Sequence, residues 1–226
     1  TGLTSPLNIH FISKEKAYIS DLYANHITIF NPQTFEITGT INLGEHTSEQ
    51  MIQSGDYVFV TSWMNDNFVL VIDAETDKMV TQIEVPFQPK DLGKDKNGKI
   101  WVLSEGIYEN VDEADLAPAL TRIDPLTITI EQIYRFTGGL RPSNLEINVA
   151  GDTIYYLKNG VCKMSIRSAG LPDSTFIPQD EKLFYHLAVH PQTNELFVAD
   201  AIDYAQDAVV YRFSQDAGLM DSFRDR

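Results

Sequence analysis

Short apolar runs, separated by turn residues, recur along the whole chain. The runs are rich in Val, Ile, Tyr, Phe and Thr, as in 57–62, 68–73 and 196–199. This composition, with Gly, Pro, Asn and Asp between the runs, is typical of β-strands. No segment of useful length shows the 3.6-residue periodicity of an amphipathic helix. The pattern therefore predicts an all-β protein.

The runs form a repeating unit of four predicted strands. In the first copy one strand lies at 7–11, and the segment 16–43 carries the other three. A polar residue before an Ile, Met or Leu marks the phase of each copy: Asn8, Gln50, Asp91, Asn144 and His186. Four strands per roughly 40–45 residues is the unit of a β-propeller blade. One long interval is explained by an insertion at 105–118.

The repeat predicts a single propeller domain over 1–226. The predicted blades are 5–46, 47–87, 88–139, 140–182 and 183–226. The chain shows no initiator Met, signal segment or strand that would close the ring. We therefore expect these blades to be a fragment of a larger ring, since propellers typically have about four to eight blades. A closed five-bladed ring is the alternative.

Turn sequences occupy the same place in several copies. Asn31-Pro-Gln-Thr34, Asp73-Ala-Glu-Thr76 and Asp124-Pro-Leu-Thr127 suit type I turns, because Pro presets φ and an Asx side chain caps the following N–H groups. His190-Pro-Gln-Thr193 is also interpreted as a turn, and 214–218 takes this place in the last copy.

The phase markers are the first candidate site. The first strand of each blade lines the channel of a propeller, and strand alternation directs the polar residue towards the channel. Asn8, Gln50, Asp91, Asn144 and His186 would then either solvate a water-filled channel or form the floor of a binding site. A His186–Asp91 pair acting as base and orienter is a further hypothesis.

The second candidate set is aromatic. The predicted loops between strands two and three contain Tyr23, Trp63, Tyr108 and Tyr204. Aromatic side chains at loop tips are enriched where ligands dock; otherwise they fold over the blade edges. Trp63 is the favoured member, since Met64 and three polar residues follow it.

Metal and catalytic motifs are weak. The acidic insertion 105–118 and the trio Asp200, Asp203 and Asp207 lack the spacing of a calcium loop. The His residues show no zinc-type spacing, and the chain has no nucleophile elbow, phosphate loop or dinucleotide fingerprint. We expect no metal, no cofactor and no catalytic residues.

The composition restricts the kinds of partner that we expect this chain to bind. The chain has 226 residues and a formal charge of −15, so nucleic acid is an improbable partner. No apolar stretch approaches the roughly 20 residues that span a bilayer. The single Cys162 is expected to be a buried thiol.

Four segments carry a family resemblance: Ala17–Asp21, Ile27–Thr34, Lys99–Leu103 and Leu187–Asp200. They resemble the YVTN/YncE-like propellers and, more closely, the DUF5074 putative surface-layer or cell-surface proteins of Bacteroidetes. That resemblance implies an exported, lipid-anchored protein with a seven-bladed ring, of which this chain would lack about two blades. One branch of the family captures vitamin B12 for an outer-membrane transporter. No contact residue of that branch can be matched here.

These observations favour a non-enzymatic surface propeller that binds a small molecule, with a corrinoid as the most specific candidate. A protein–protein or glycan-binding scaffold of a surface complex is the alternative, and it predicts an apolar patch on the outer rim or the opposite face. A propeller lactonase or lyase is a third hypothesis.

Overall fold

The computed structural model describes residues 2–107, 116–138 and 141–224. Its strands fall into five antiparallel, four-stranded sheets, which we number as blades 1 to 5. Blade 1 contains β1 (Pro6–Phe11), β2 (Ala17–Asp21), β3 (His26–Asn31) and β4 (Glu36–Asn42). Blade 2 contains β5 (Met51–Ser54), β6 (Tyr57–Ser62), β7 (Phe68–Asp73) and β8 (Lys78–Glu84).

The other blades repeat this order. Blade 3 contains β9 (Pro89–Lys94), β10 (Ile100–Ser104), β11 (Ala119–Asp124) and β12 (Thr129–Arg135). Blade 4 contains β13 (Ser143–Ile147), β14 (Thr153–Leu157), β15 (Gly160–Ser165) and the short β16 (Ile177–Pro178). Blade 5 contains β17 (Phe184–Val189), β18 (Leu196–Asp200), β19 (Val209–Phe213) and β20 (Leu219–Arg224). The predicted all-β fold with four-stranded blades is confirmed.

The core lies between successive blades. Tyr18 and Ile27 of blade 1 pack with Val58 and Leu70 of blade 2, and all four are fully buried. Similar clusters join blade 2 to 3, blade 3 to 4 and blade 4 to 5. A single sheet cannot bury both of its apolar faces, so the blades stabilise one another by stacking. Their inner strands, β5, β9, β13 and β17, contact one another around the channel.

The predicted turns are confirmed. Asn31 Oδ1 accepts a hydrogen bond from the N–H of Gln33 at 2.9 Å, and Asp73 Oδ1 accepts one from Thr76 at 2.8 Å. His190 Nδ1 takes the same role towards the N–H of Thr193 at 3.2 Å. An imidazole nitrogen thus replaces the Asx oxygen without changing the turn.

Blade 1 has an exposed apolar face on the side away from blade 2. Ile9 and Phe11 of β1 and Ile37 of β4 are all exposed there. They share a face, because Phe11 lies opposite Ala17, Ala17 opposite Phe30, and Phe30 opposite Ile37. Whether further blades cover this face stays a prediction. Among the described residues, no helix is long and apolar enough to cross a membrane.

Candidate functional site

A cavity of about 470 Å³ lies at the end of the channel where the inner strands begin. We call it the channel-end cavity. It is lined by Glu49, Gln50, Lys90, Asp91, Glu105, Ser143, Asn144, Phe184, Tyr185, His186 and Tyr204. The lining comes from the starts of four inner strands and from loops that follow β10 and β18. Its volume falls within the range of small-molecule sites, about 300–1,000 Å³.

Four of the predicted ring residues meet in this cavity: Gln50, Asp91, Asn144 and His186. Asn8 does not line it. Asn8 lies on β1, where its N–H donates to Ser20 Oγ at 3.0 Å. The structure therefore brings the ring residues of blades 2 to 5 together at this cavity, but not that of blade 1.

Three of these side chains also connect neighbouring blades. Gln50 Oε1 accepts from the N–H of Leu92 at 2.9 Å, Asp91 Oδ2 from Leu145 at 3.3 Å, and Asn144 Oδ1 from Leu187 at 3.3 Å. Each acceptor is a ring residue, and each donor directly follows the ring residue of the next blade. We call these three bonds the inter-blade belt. It fixes the side chains, so their remaining polar atoms present a preformed surface to the cavity.

The predicted aromatics are distributed unevenly. Tyr204 lines the cavity and packs edge to face on Tyr185, with ring centroids 5.6 Å apart. Both rings are exposed, and Tyr204 has a φ of 61°. Positive φ is uncommon for a bulky residue and occurs at ligand sites more than elsewhere. Tyr23 is exposed but does not line the cavity. Tyr108 lies outside the described residues.

Trp63 is not a lining residue of the cavity, but it contacts two residues that are, Glu105 and Lys90. Its Nε1–H donates to Glu105 Oε2 at 3.1 Å, while Lys90 Nζ donates to Glu105 Oε1 at 2.7 Å. The Lys90 ammonium also lies 5.4 Å from the centroid of the Trp63 ring. Trp63 is half-buried as a result. It contacts both members of the Lys90–Glu105 ion pair at the cavity wall.

The cavity concentrates negative charge. Lys90 is the cation that lines it, and three carboxyl groups face it: Glu49, Asp91 and Glu105. Burial raises the pKa of Glu49 to about 7, with Asp91 and Glu105 adding to the shift and Lys90 opposing it. Burial also raises the pKa of Asp91, although the N–H of Leu145 opposes this. Burial alone would lower the pKa of Lys90, but the bond to Glu105 and the charges of Glu105, Glu49 and Asp91 together outweigh burial, so the pKa is raised.

One carboxylate oxygen has no partner. Glu49 Oε2 is buried and makes no hydrogen bond among the described residues. A buried, unpaired acceptor costs about 1–3 kcal/mol, and more when charged. A ligand group that donates a hydrogen bond at this point would remove that cost.

Sequence reasoning missed Glu49, Lys90 and Tyr185. Each directly precedes a ring residue, and strict alternation would have directed it away from the channel. The pairing register of the inner strands shifts at Leu103/Ser104, Ser143/Glu146 and Phe184/His186. Such bulges break the alternation at Lys90 and Tyr185. Glu49 lies just before β5, whose pairing with β6 shows no shift. The sequence signal that could have identified them is the polar or aromatic residue that stands directly before Gln50, Asp91 and His186.

The geometry gives limited support to a catalytic pair or a metal site here. His186 is exposed, and among the described residues it makes no hydrogen bond to Asp91, whose oxygens contact Gln50 and Leu145. In the described ranges no group of three His, Cys, Asp or Glu side chains is arranged to hold a metal. Asp200 instead accepts backbone bonds from Leu183 and Ile202, both at 2.9 Å. Residues 108–115 of the acidic insertion lie outside the description.

Solved structures share this architecture. Hydrazine synthase of Kuenenia stuttgartiensis superposes with a TM-score of 0.77 at 17% identity, over 99% of this chain and 66% of its own. A quinonprotein alcohol dehydrogenase-like protein from Bacteroides thetaiotaomicron gives 0.74 at 12% identity, over 97% and 55%. Virginiamycin B lyase from Staphylococcus aureus gives 0.73 at 17% identity, over 97% and 70%. At these identities the likeness shows the fold alone.

The chain spans 66% and 55% of the lengths of the first two structures. No curated protein matches it in sequence. A family model does match: the domain of unknown function DUF5074 aligns with residues 8–219 and so covers all five blades. The chain therefore belongs to the DUF5074 family of β-propeller proteins.

Proposed function

We propose that this propeller is a non-enzymatic binding protein whose ligand enters the channel-end cavity. The observation that carries the proposal is the buried, unpartnered Glu49 Oε2 in a cavity rich in acceptors. Glu49 and Asp91 offer carboxylate oxygens, and Lys90 is already paired with Glu105. A ligand that fits must donate hydrogen bonds to Glu49 while it presents apolar surface to Tyr185 and Tyr204.

A corrinoid is the most specific candidate. It is a large, flat ring edged with primary amides, and each amide carries two N–H donors. The cavity would receive one or two amide arms rather than the whole ring. The exposed Tyr185–Tyr204 pair at its rim would then contact the face of the macrocycle. We place this capture at the cell surface, in a lipid-anchored parent protein that passes its ligand to an outer-membrane transporter.

The test is a calorimetric titration of the full-length protein with cyanocobalamin. We expect saturable binding, with Kd raised at least tenfold by Tyr204→Ala and by Glu49→Gln. Tyr23→Ala is the matched control, because Tyr23 is 65% exposed and Tyr204 69% exposed, yet Tyr23 lies outside the cavity. Glu146→Gln is the control for Glu49, since burial also raises its pKa to about 7 and it does not line the cavity. Absence of heat together with an unchanged melting temperature would remove the corrinoid.

A further inference from the structure

A second cleft, of about 290 Å³, lies between blades 4 and 5 at the end of the propeller opposite the channel-end cavity. We call it the inter-blade cleft. Its blade 4 wall is formed by β14 and β15, and its blade 5 wall by the turns that precede β18 and β20. The polar side chains that line it and are available to contact a ligand are Asn148, Tyr155, Lys163, Asn194, Gln215 and Asp216.

Tyr155 forms part of the blade 4 wall of this cleft. Its ring is buried and packs against Phe176 with centroids 6.2 Å apart. Its hydroxyl makes no hydrogen bond among the described residues and keeps access to solvent at the cleft. A group bound in the cleft can therefore exchange hydrogen bonds with this hydroxyl.

Lys163 lies directly opposite Tyr155 in the pairing of β14 and β15. Its ammonium sits 4.3 Å from the centroid of Phe176 and 5.9 Å from that of Tyr155. In the part of the chain that the structure describes, Lys163 forms no ion pair. The two rings hold the ammonium by cation–π attraction, and its N–H donors remain available to a ligand in the cleft.

The facing wall supplies acceptors and amides. Asp216 and Gln215 lie in the exposed turn between β19 and β20. Asp216 lines the same cleft as Tyr155. Burial raises the pKa of Tyr155, and the charges of Asp152 and Asp216 add to this. Asn194 Oδ1 accepts from the N–H of Val149 at 2.9 Å, so its amide NH₂ is oriented but unused.

The chemistry of the lining selects the class of ligand. Lys163 and Asp216 balance each other in charge, so neither a strong anion nor a strong cation is favoured. Lys163 and the Asn194 amide donate, Asp216 accepts, and the Tyr155 hydroxyl and the Gln215 amide do both. Neighbouring hydroxyl groups that donate and accept in turn match this set. The cleft volume is near the lower limit of small-molecule sites, about 300 Å³.

We propose that the inter-blade cleft is a second binding site, and that it takes one neutral sugar residue of a glycan. This site is independent of the channel-end cavity, and it would let a surface propeller hold a carbohydrate while its channel holds another ligand.

The test is saturation-transfer NMR on the full chain with methyl glycosides of neutral hexoses and N-acetylhexosamines. Glucuronate and free glycine serve as charged comparators. We expect transfer to at least one neutral glycoside, and a loss of at least fivefold in affinity in Tyr155→Phe and in Lys163→Met. Lys182→Met is the control, because Lys182 also lies over a ring, that of Tyr211 at 5.6 Å, but outside the cleft.

Two results would overturn the proposal. One is transfer to no neutral glycoside, or to glucuronate or glycine alone, by a protein whose circular dichroism is native. The other is glycoside binding that survives Tyr155→Phe and Lys163→Met but is lost in Glu49→Gln. That second outcome would assign the sugar to the channel-end cavity. Cyanocobalamin binding is measured separately, so either proposal can fail without the other.

Discussion

Gln50 of blade 2 accepts a hydrogen bond from the N–H of Leu92 in blade 3 over 2.9 Å, and its amide also donates to Asp91 Oδ1 at 3.1 Å. One side chain thus connects two blades through two bonds. Because strand pairing in this fold stays within each sheet, side chains at the channel contribute to the registration of neighbouring blades. The binding surface and the joint between blades are built from the same residues.

Gln50→Ala should destabilise the protein by about 1–3 kcal/mol, because it leaves the N–H of Leu92 and one oxygen of Asp91 without their partner. Urea unfolding followed by circular dichroism measures this change. Gln192→Ala removes an exposed glutamine from a turn and should stay within about 0.5 kcal/mol. Equal losses in the two variants would show that the inter-blade belt contributes nothing.

The sequence predicted the blades because strand composition and turn residues repeat together. It placed Gln50, Asp91, Asn144 and His186 at one level, and the structure brings them into one cavity. It did not predict the bulges at Lys90 and Tyr185, or that Glu49, just before β5, lines the same cavity. Nor did it predict the Lys90–Glu105 pair, because that contact depends on how the loop after β10 folds back on Trp63.

Lys90→Met should cost about 1–3 kcal/mol at pH 8. It removes the cation that faces Glu49, Asp91 and Glu105, whose mutual repulsion is greatest when all are ionised. At pH 5, where Glu49 is protonated, the loss should be smaller. Chemical unfolding at both pH values measures it, with Lys182→Met as the control. Identical losses at pH 5 and pH 8 would contradict the electrostatic explanation.

Glu49 and Glu146 should make stability fall with rising pH. Burial raises the pKa of each from the ordinary 4.5 to about 7, so the folded chain holds their protons where the unfolded chain has lost them. Their stabilising effect is therefore complete below about pH 4.5 and is lost as pH rises through 7. After allowance for solvent screening, each contributes on the order of 1–2 kcal/mol.

The double variant Glu49→Gln/Glu146→Gln isolates this effect, because glutamine does not titrate. We expect the variant to lose less stability than the wild type between pH 5 and pH 8, measured as the free energy of unfolding in urea. Titrating groups that do not interact with these two carboxyl groups are common to both proteins and cancel in the difference. Parallel stability profiles would show that neither carboxyl group has a raised pKa.

Substitution of Gly106 tests whether the loop that positions Glu105 in the cavity wall depends on close backbone packing. Both Gly106 and Gly44 have positive φ, at 65° and 70°, so an alanine at either position carries similar backbone strain. A Cβ at Gly106 would also lie 2.5 Å from the backbone nitrogen of Pro118 and 2.6 Å from the carbonyl oxygen of Leu116, whereas a Cβ at Gly44 would meet nothing within 4 Å.

Gly44→Ala should therefore cost about 1 kcal/mol, and Gly106→Ala about 2–4 kcal/mol because the backbone must also move. The same movement should displace Glu105 from Lys90 and Trp63, and so change the intrinsic fluorescence of Trp63 in Gly106→Ala alone. Trp101→Phe in the background of each variant removes the other tryptophan signal. Equal stability losses, with unchanged Trp63 emission, would mean that this loop does not depend on close approach at Gly106.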